Sequence, residues 1–191
     1  MRRTTATVLT VLTTLGALAA TMAPASAEVV TVEDGINDVQ YFSGRDLGIR
    51  TDYVDISSTT VDHRANNIVM TVGILDVDKT TDFEVQGALK TGGRLYLARL
   101  QYAPGGSNVF LQDGDTGDEL RCAVKGAVKE MASTVVLTVP RSCVGDPARV
   151  RFGSRTIDAG DGFTLIDDGR RGRVTSQETP IKVGRATVAQ G

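Results

Sequence analysis

The sequence predicts an all-β protein, an antiparallel β-sandwich of jelly-roll-like type with about 8–10 strands and one disulfide. Three observations predict it. Beyond the N-terminal leader, no window of 11 or more residues carries apolar residues at the helical period of about 3.6. Short runs alternate apolar and polar residues instead, and glycine- or aspartate-rich turn signals separate them. The two cysteines of the chain, Cys122 and Cys143, bracket the clearest pairing signal, LRCAVKGAVKEMASTVVLTVPRSCV at 120–144. A four-residue turn at 131–134 sets Glu130 opposite Val135, Val128 opposite Leu137, Gly126 opposite Val139 and Cys122 opposite Cys143. That register puts Val124, Val128, Val135, Leu137 and Val139 on one face and Lys125, Lys129 and Thr138 on the other. Arg141 is the misfit, beside a Pro140 that marks a strand end.

In order along the chain, Arg2 and Arg3 precede an uncharged run to Met22 and the triplet Ala25, Ser26, Ala27. This is the pattern of a secretory signal peptide cleaved after Ala27, so the protein is expected to be secreted, with 28–191 as a single β-sandwich domain. Seven threonines dilute the run, so it reads poorly as a membrane anchor, and no later segment is apolar enough to span a bilayer. Export also favours a disulfide between Cys122 and Cys143 over a zinc site, for which two cysteines and one histidine are too few. Once Arg2 and Arg3 leave, 19 basic residues face 23 acidic ones, a net charge of −4 that argues against a nucleic-acid partner.

Residues 29–32 read as a strand, followed by a long acidic loop at 33–52. It holds Asp34, Asp38, Asp46 and Asp52, with Tyr41 and Phe42 as its aromatic residues. Strands are expected at 53–61, 67–75 and 82–90; Thr91, Gly92 and Gly93 turn the last of these into 94–102. The 94–102 run has apolar residues on both faces. A short strand at 108–112 leads into the acidic turn DGDTGDE (113–119), which fails as an EF-hand loop because Asp118 replaces the glycine and Val124 the final glutamate. After the disulfide hairpin, 148–152 reads as a strand. The glycine- and charge-rich part from Arg155 onward offers strands only at 163–166 and 181–183.

Catalytic chemistry finds little support in this inventory. His63 sits in a polar turn, VDHR, and is expected to be solvated, and both cysteines are consumed by the disulfide, so a base beside a nucleophile is lacking. The expected function is therefore a secreted non-catalytic binding or structural module of the cell envelope, with a cell-wall polymer or polysaccharide as partner. The alternative is a small secreted hydrolase using an acidic residue pair. Candidate ligand contacts are Tyr41 and Phe42 in the long loop and the basic residues Lys125, Lys129, Arg149 and Arg151, which form one patch if their strands are neighbours. A structural calcium is the one cofactor expected, held by Asp52 and Asp55 together with Asp158 and Asp161, with Asp167 and Asp168 in the same tail.

The runs TDYVDISSTTVDHRANNIVMTVGILD and TVVLTVPRSCVGDPARVRFG resemble a group of small secreted proteins of high-GC Gram-positive bacteria. That group is distantly similar to carbohydrate-binding and DOMON-type β-sandwiches. The resemblance covers about half of 28–191 and implies a sandwich whose acidic loops open into a ligand face. Its motifs are structural and carry no functional residue across, and the chain lacks the tryptophan such faces use.

Overall fold

The computed structural model describes residues 27–42, 51–78, 80–160, 163–170 and 180–191; the leader up to residue 26 and Asp161 lie outside them. In chain order the strands are β1 (Glu28–Glu33), β2 (Gln40–Phe42), β3 (Ile56–His63), β4 (Asn67–Ile74), β5 (Phe83–Thr91), β6 (Arg94–Ala103) and β7 (Gly106–Asp113). There follow β8 (Glu119–Leu120), β9 (Lys125–Lys129), β10 (Thr134–Pro140), β11 (Arg149–Asp158), β12 (Thr164–Asp168) and β13 (Thr187–Ala189). They pair antiparallel into two sheets, one ordered β1-β3-β4-β10-β9 and the other β2-β12-β11-β5-β6-β7-β8, with β13 also on β11. This is the expected sandwich, open at its sheet edges.

Alternation builds the core, as the period of two requires. Ile68, Met70 and Val72 of β4 and Val135, Leu137 and Val139 of β10 are buried, and they share the interior with Val85 and Leu89 of β5, Leu100 of β6 and Phe152 of β11. Each such side chain contributes roughly 1.5–3 kcal/mol by leaving water. The ambiguity of β6 is resolved: Tyr96, Ala98 and Leu100 are buried, while Leu95 and Leu97 are half-buried on the opposite face. Gly92 and Gly93 make the two-residue turn from β5 to β6, both at positive φ, the condition for a type I′ hairpin.

The hairpin register differs from the expected one by two residues. Val135 lies opposite Val128 and Leu137 opposite Gly126. The connection is a 3-10 turn at Glu130–Ala132 closed by Ser133 in the left-handed region, whose N–H donates to the Glu130 carbonyl at 2.8 Å. A shift of two keeps every side chain on its expected face. The disulfide between Cys122 and Cys143 is present, but outside the ladder: Cys143 sits in a second 3-10 turn, Arg141–Val144, with the two Cα atoms 6.1 Å apart. Arg141 is a buried clamp. Its guanidinium donates to the carbonyls of Ala65, Asp146 and Pro147 at 2.7, 3.0 and 3.1 Å, tying the end of β10 to the β3–β4 turn.

Two expectations for the chain beyond β10 are corrected. Strand β11 runs on to Asp158 as a central strand, with β5 along one edge and β13 and β12 sharing the other. Residues 181–183 belong to no ladder; the segment crosses β11 instead, Gly184 N–H donating to the Phe152 carbonyl at 2.9 Å. A Cβ on Gly153 would come within 2.3 Å of the Lys182 carbonyl oxygen. His63 is also not solvated: it is fully buried in β3, its Nδ1 3.1 Å from the Val188 carbonyl of β13.

Two variants test this framework. Replacing Cys122 and Cys143 together by serine opens a bridge spanning 21 residues and is expected to lower unfolding free energy by about 3 kcal/mol in a denaturant titration. Gly153→Ala is expected to cost roughly 1–3 kcal/mol, because the obstacle is a backbone carbonyl that cannot rotate away.

Candidate functional site

The expected sites do not assemble as the sequence suggested. Lys125 and Lys129 are exposed on β9, the edge of one sheet, whereas Arg149 and Arg151 lie on β11 in the other, so the strands are not neighbours and the four make no single patch. Arg151 turns instead to the 180–184 segment, its Nε donating to the Gly184 carbonyl at 2.7 Å. Tyr41 and Phe42 lie on β2, which pairs with β12, and Tyr41 is 37% exposed. The turn at 113–119 spends its first carboxylate internally. Asp113 Oδ1 accepts from the N–H groups of Asp115 and Thr116, and its Oδ2 from Arg94 at 2.5 Å.

Asp158 of the expected calcium set is committed elsewhere, accepting a hydrogen bond from the Tyr53 hydroxyl. Among the described residues one trio of carboxylates brings ligand atoms within 4.8 Å of one another, and it is Asp34, Asp38 and Asp167. Asp55, from the expected set, is its neighbour.

Local structure explains the convergence. Asp34 follows β1 directly and is held by its own N–H, which donates to the Ser57 carbonyl at 3.0 Å. The chain then turns through Asn37, at φ 65°, an αL position that asparagine tolerates. That turn aims the Asn37 N–H at Asp55 Oδ2, 2.6 Å away, and brings Asp38 back beside Asp34. Asp167 arrives from the other sheet on β12, its Oδ2 accepting the Ile56 N–H at 2.6 Å. Both sheets thus contribute to one acidic end of the sandwich.

The electrostatics are severe. Asp55 and Asp167 are 0% and 1% exposed. Among the described residues, Asp34 Oδ2, Asp38 Oδ1, Asp55 Oδ1 and Asp167 Oδ1 have no hydrogen-bond partner. Burial first, then the charge of Asp38, pushes the Asp34 carboxyl up to about 7. Burial pushes Asp167 up to about 8, opposed by the Ile56 hydrogen bond and reinforced by Asp34, Asp38 and Asp55. Asp38 and Asp55 are also raised, chiefly by burial. These are the two causes that oppose a charged carboxylate: a low-dielectric surrounding and like charges close by.

Asp34 and Asp38 line a groove of about 680 Å³ together with the cationic residues Arg170, Lys182 and Arg185. Arg170 lies with its guanidinium 4.4 Å from the centre of the Phe152 ring. Behind the groove, Asp168 accepts from Arg155 Nη2 at 3.2 Å and from the Lys182 N–H at 3.1 Å, which ties Lys182 to β12. Such an edge has the chemistry to hold a hard cation on its acidic residues and anionic groups on its basic ones. Sequence reasoning noticed Asp34, Asp38 and Asp167 as acidic residues but missed them as a set. The readable signal was the spacing Asp34-Gly35-Ile36-Asn37-Asp38, a turn that returns one carboxylate to the other. No protein-family model matches the chain, and neither curated proteins nor solved structures yield a match.

The raised carboxyls have a defined effect on stability. A carboxyl whose folded value lies above its unfolded value of 3.8 contributes stability fully present below that value, and lost as pH rises through the folded value. With chelator present, the melting temperature of the protein is expected to fall between about pH 4 and pH 8, and Asp167→Asn to flatten that slope. Equal slopes for the two proteins in calorimetry at matched ionic strength would remove this account of the cluster.

Proposed function

We propose that the chain is an exported, non-catalytic binding module of the cell envelope or medium, and that it holds a surface polymer, a polysaccharide or anionic wall polymer, in the groove lined by Asp34 and Asp38 and by Arg170, Lys182 and Arg185. The observation that carries the reading is this two-signed groove on a rigid, disulfide-braced sandwich. Hydroxyl-rich chains find hydrogen-bond acceptors on its acidic residues, and carboxylate or phosphate substituents find cations on its basic ones. The expected leader at 1–27, the single buried histidine and the absence of a free cysteine support an exported protein that does no nucleophilic chemistry. A structural calcium belongs to this reading. Among the described residues no helix is long and apolar enough to cross a membrane.

A second reading has its own observation. Asp34 and Asp167 are raised to about 7 and 8 beside a groove, as in an acid pair that shares a proton, which favours a small hydrolase. One oxygen from each carboxylate lies within 4.8 Å of the others, closer to the roughly 5–5.5 Å between carboxyl groups of a retaining glycosidase than to the inverting spacing.

Sedimentation of the mature protein with purified cell wall and with insoluble polysaccharides separates these readings. Binding is expected, with Lys182→Ala combined with Arg185→Ala weakening it about tenfold, the effect of ~1.4 kcal/mol, and with high salt weakening it further. Salt-resistant binding that is lost in Tyr41→Ala would move the contact to β2, and salt-sensitive binding lost in Lys125→Ala with Lys129→Ala would move it to β9. No sedimentation, together with turnover of glycosidase or esterase substrates, would replace the module by the hydrolase.

A further inference from the structure

We infer that Asp34, Asp38 and Asp167 are ligands of one divalent cation, calcium in preference to magnesium, with Asp55 as the adjacent carboxylate that completes the negative site. The inference takes the acidic end of the sandwich as its working end but does not depend on a polymer: a chain that binds calcium and no polymer keeps it and loses the function proposed above.

The trio supplies the geometry, three carboxylate oxygens within 4.8 Å of one another from two distant parts of the chain. A surface cluster of that kind is common without an ion. Here the independent observation is what stands behind it. Asp55 is outside the trio, 0% exposed, and has an Oδ1 with no partner among the described residues, while its other oxygen is spent on Asn37 N–H at 2.6 Å. Asp167 repeats the pattern: 1% exposed, Oδ2 on Ile56 N–H, Oδ1 unpartnered. An isolated buried carboxylate oxygen without a donor is strongly unfavourable, and it is retained where a proton or a cation meets it.

Among the described residues no arginine or lysine takes that place for Asp55 or Asp167. Arg155 is turned to Asp168, and Arg170 lies over Phe152, where the charges of Asp168 and then Asp34 act on it. The electrostatic neighbours of Asp167 are instead three more carboxylates, Asp34, Asp38 and Asp55. Asp55 and Asp167, buried with unpartnered oxygens and no cation at hand among the described residues, call for a positive charge that is not a side chain.

The donor chemistry selects the ion. All the free atoms are carboxylate oxygens, which suit hard cations, and no nitrogen or sulfur ligand is at hand to favour zinc or copper. The four unpartnered oxygens are fewer than the six to eight that calcium takes; water, the second oxygens of Asp34 and Asp38, or oxygens of a molecule in the groove complete the shell. Calcium accepts an irregular shell of carboxylate oxygens and water, whereas magnesium demands a near-ideal octahedron that this set does not prefigure. The ion would fasten the β1–β2 connection, which passes from one sheet to the other, to β12.

Calorimetric titration of the chelator-treated mature protein with calcium chloride and, separately, with magnesium chloride tests the inference. Saturable binding at one calcium per chain is expected, at least tenfold tighter than magnesium. It should be weakened at least tenfold by Asp38→Asn and by Asp34→Asn, whose half-buried side chains tolerate replacement, and unchanged by Asp115→Asn in the remote β7–β8 turn. Asp167→Asn should abolish it, if that variant keeps the β-sheet signature of the parent in circular dichroism; if it does not, the two loop variants decide. No saturable calcium binding up to millimolar concentration, or binding that survives both Asp34→Asn and Asp38→Asn, would overturn it, and calcium and magnesium binding with equal affinity would overturn the choice of ion.

Discussion

Strand β11 must be covered along both edges and on both faces, and the remainder of the sandwich is arranged to meet that demand. Its backbone pairs with β5 on one side and with β13 and β12 in succession on the other. The face toward the interior is only partly apolar. Beyond Val150 and Phe152 it continues with Ser154 and Thr156, both fully buried. Buried hydroxyls need partners, and β3 and its approach supply them: Thr59 Oγ1 meets Ser154 Oγ at 2.5 Å, and the Val54 carbonyl accepts from Thr156. The opposite face is closed by the chain at 181–184 running over Gly153.

The sandwich therefore has two unlike halves. Where β4, β10, β5 and β6 face each other the contact is aliphatic, and its stability is non-directional. Where β3 faces β11 and β12 the contact is a seam of hydroxyls, carbonyls and carboxylates whose geometry is specified bond by bond. The candidate site lies at this polar end. Asp167 belongs to the seam through Ile56 and to the site through its second oxygen, so the arrangement that aligns the two sheets also positions the carboxylates.

What was legible in the sequence follows from the same division. Alternation in β4, β5 and β10 is the direct imprint of a half-apolar sheet, and those strands, their inward faces and the disulfide were readable. The hairpin register slipped by two because a four-residue connection can begin one residue earlier with the same facing of side chains, and only the left-handed Ser133 decides between them. Strand β11 was cut short because Ser154, Arg155 and Thr156 break the apolar pattern that marks a strand; a central strand with polar cover on both faces leaves no periodic trace. His63 was misplaced for a related reason. A histidine among Asp62, Arg64 and Asn66 reads as solvated, and nothing local announces that a strand 125 residues later will cover it. The acidic cluster was half legible: the meeting of an early loop with the late tail was foreseen, but which carboxylates meet depends on the Asn37 turn and on the facing of β12.

The covering of β11 also sets the pace at which the fold is reached. Its partners come from opposite ends of the described chain, β3 and β5 before it and β12, the 181–184 crossing and β13 after it. A chain whose central strand waits on such distant segments closes large loops before it gains their contacts, and sandwiches of this kind fold on the millisecond to second scale. Without the 181–189 segment, Gly153, the Phe152 carbonyl and the buried face of His63 lie open. The segment at 181–189 thus completes the cover of β11, and any local opening that releases it bares the middle of a central strand.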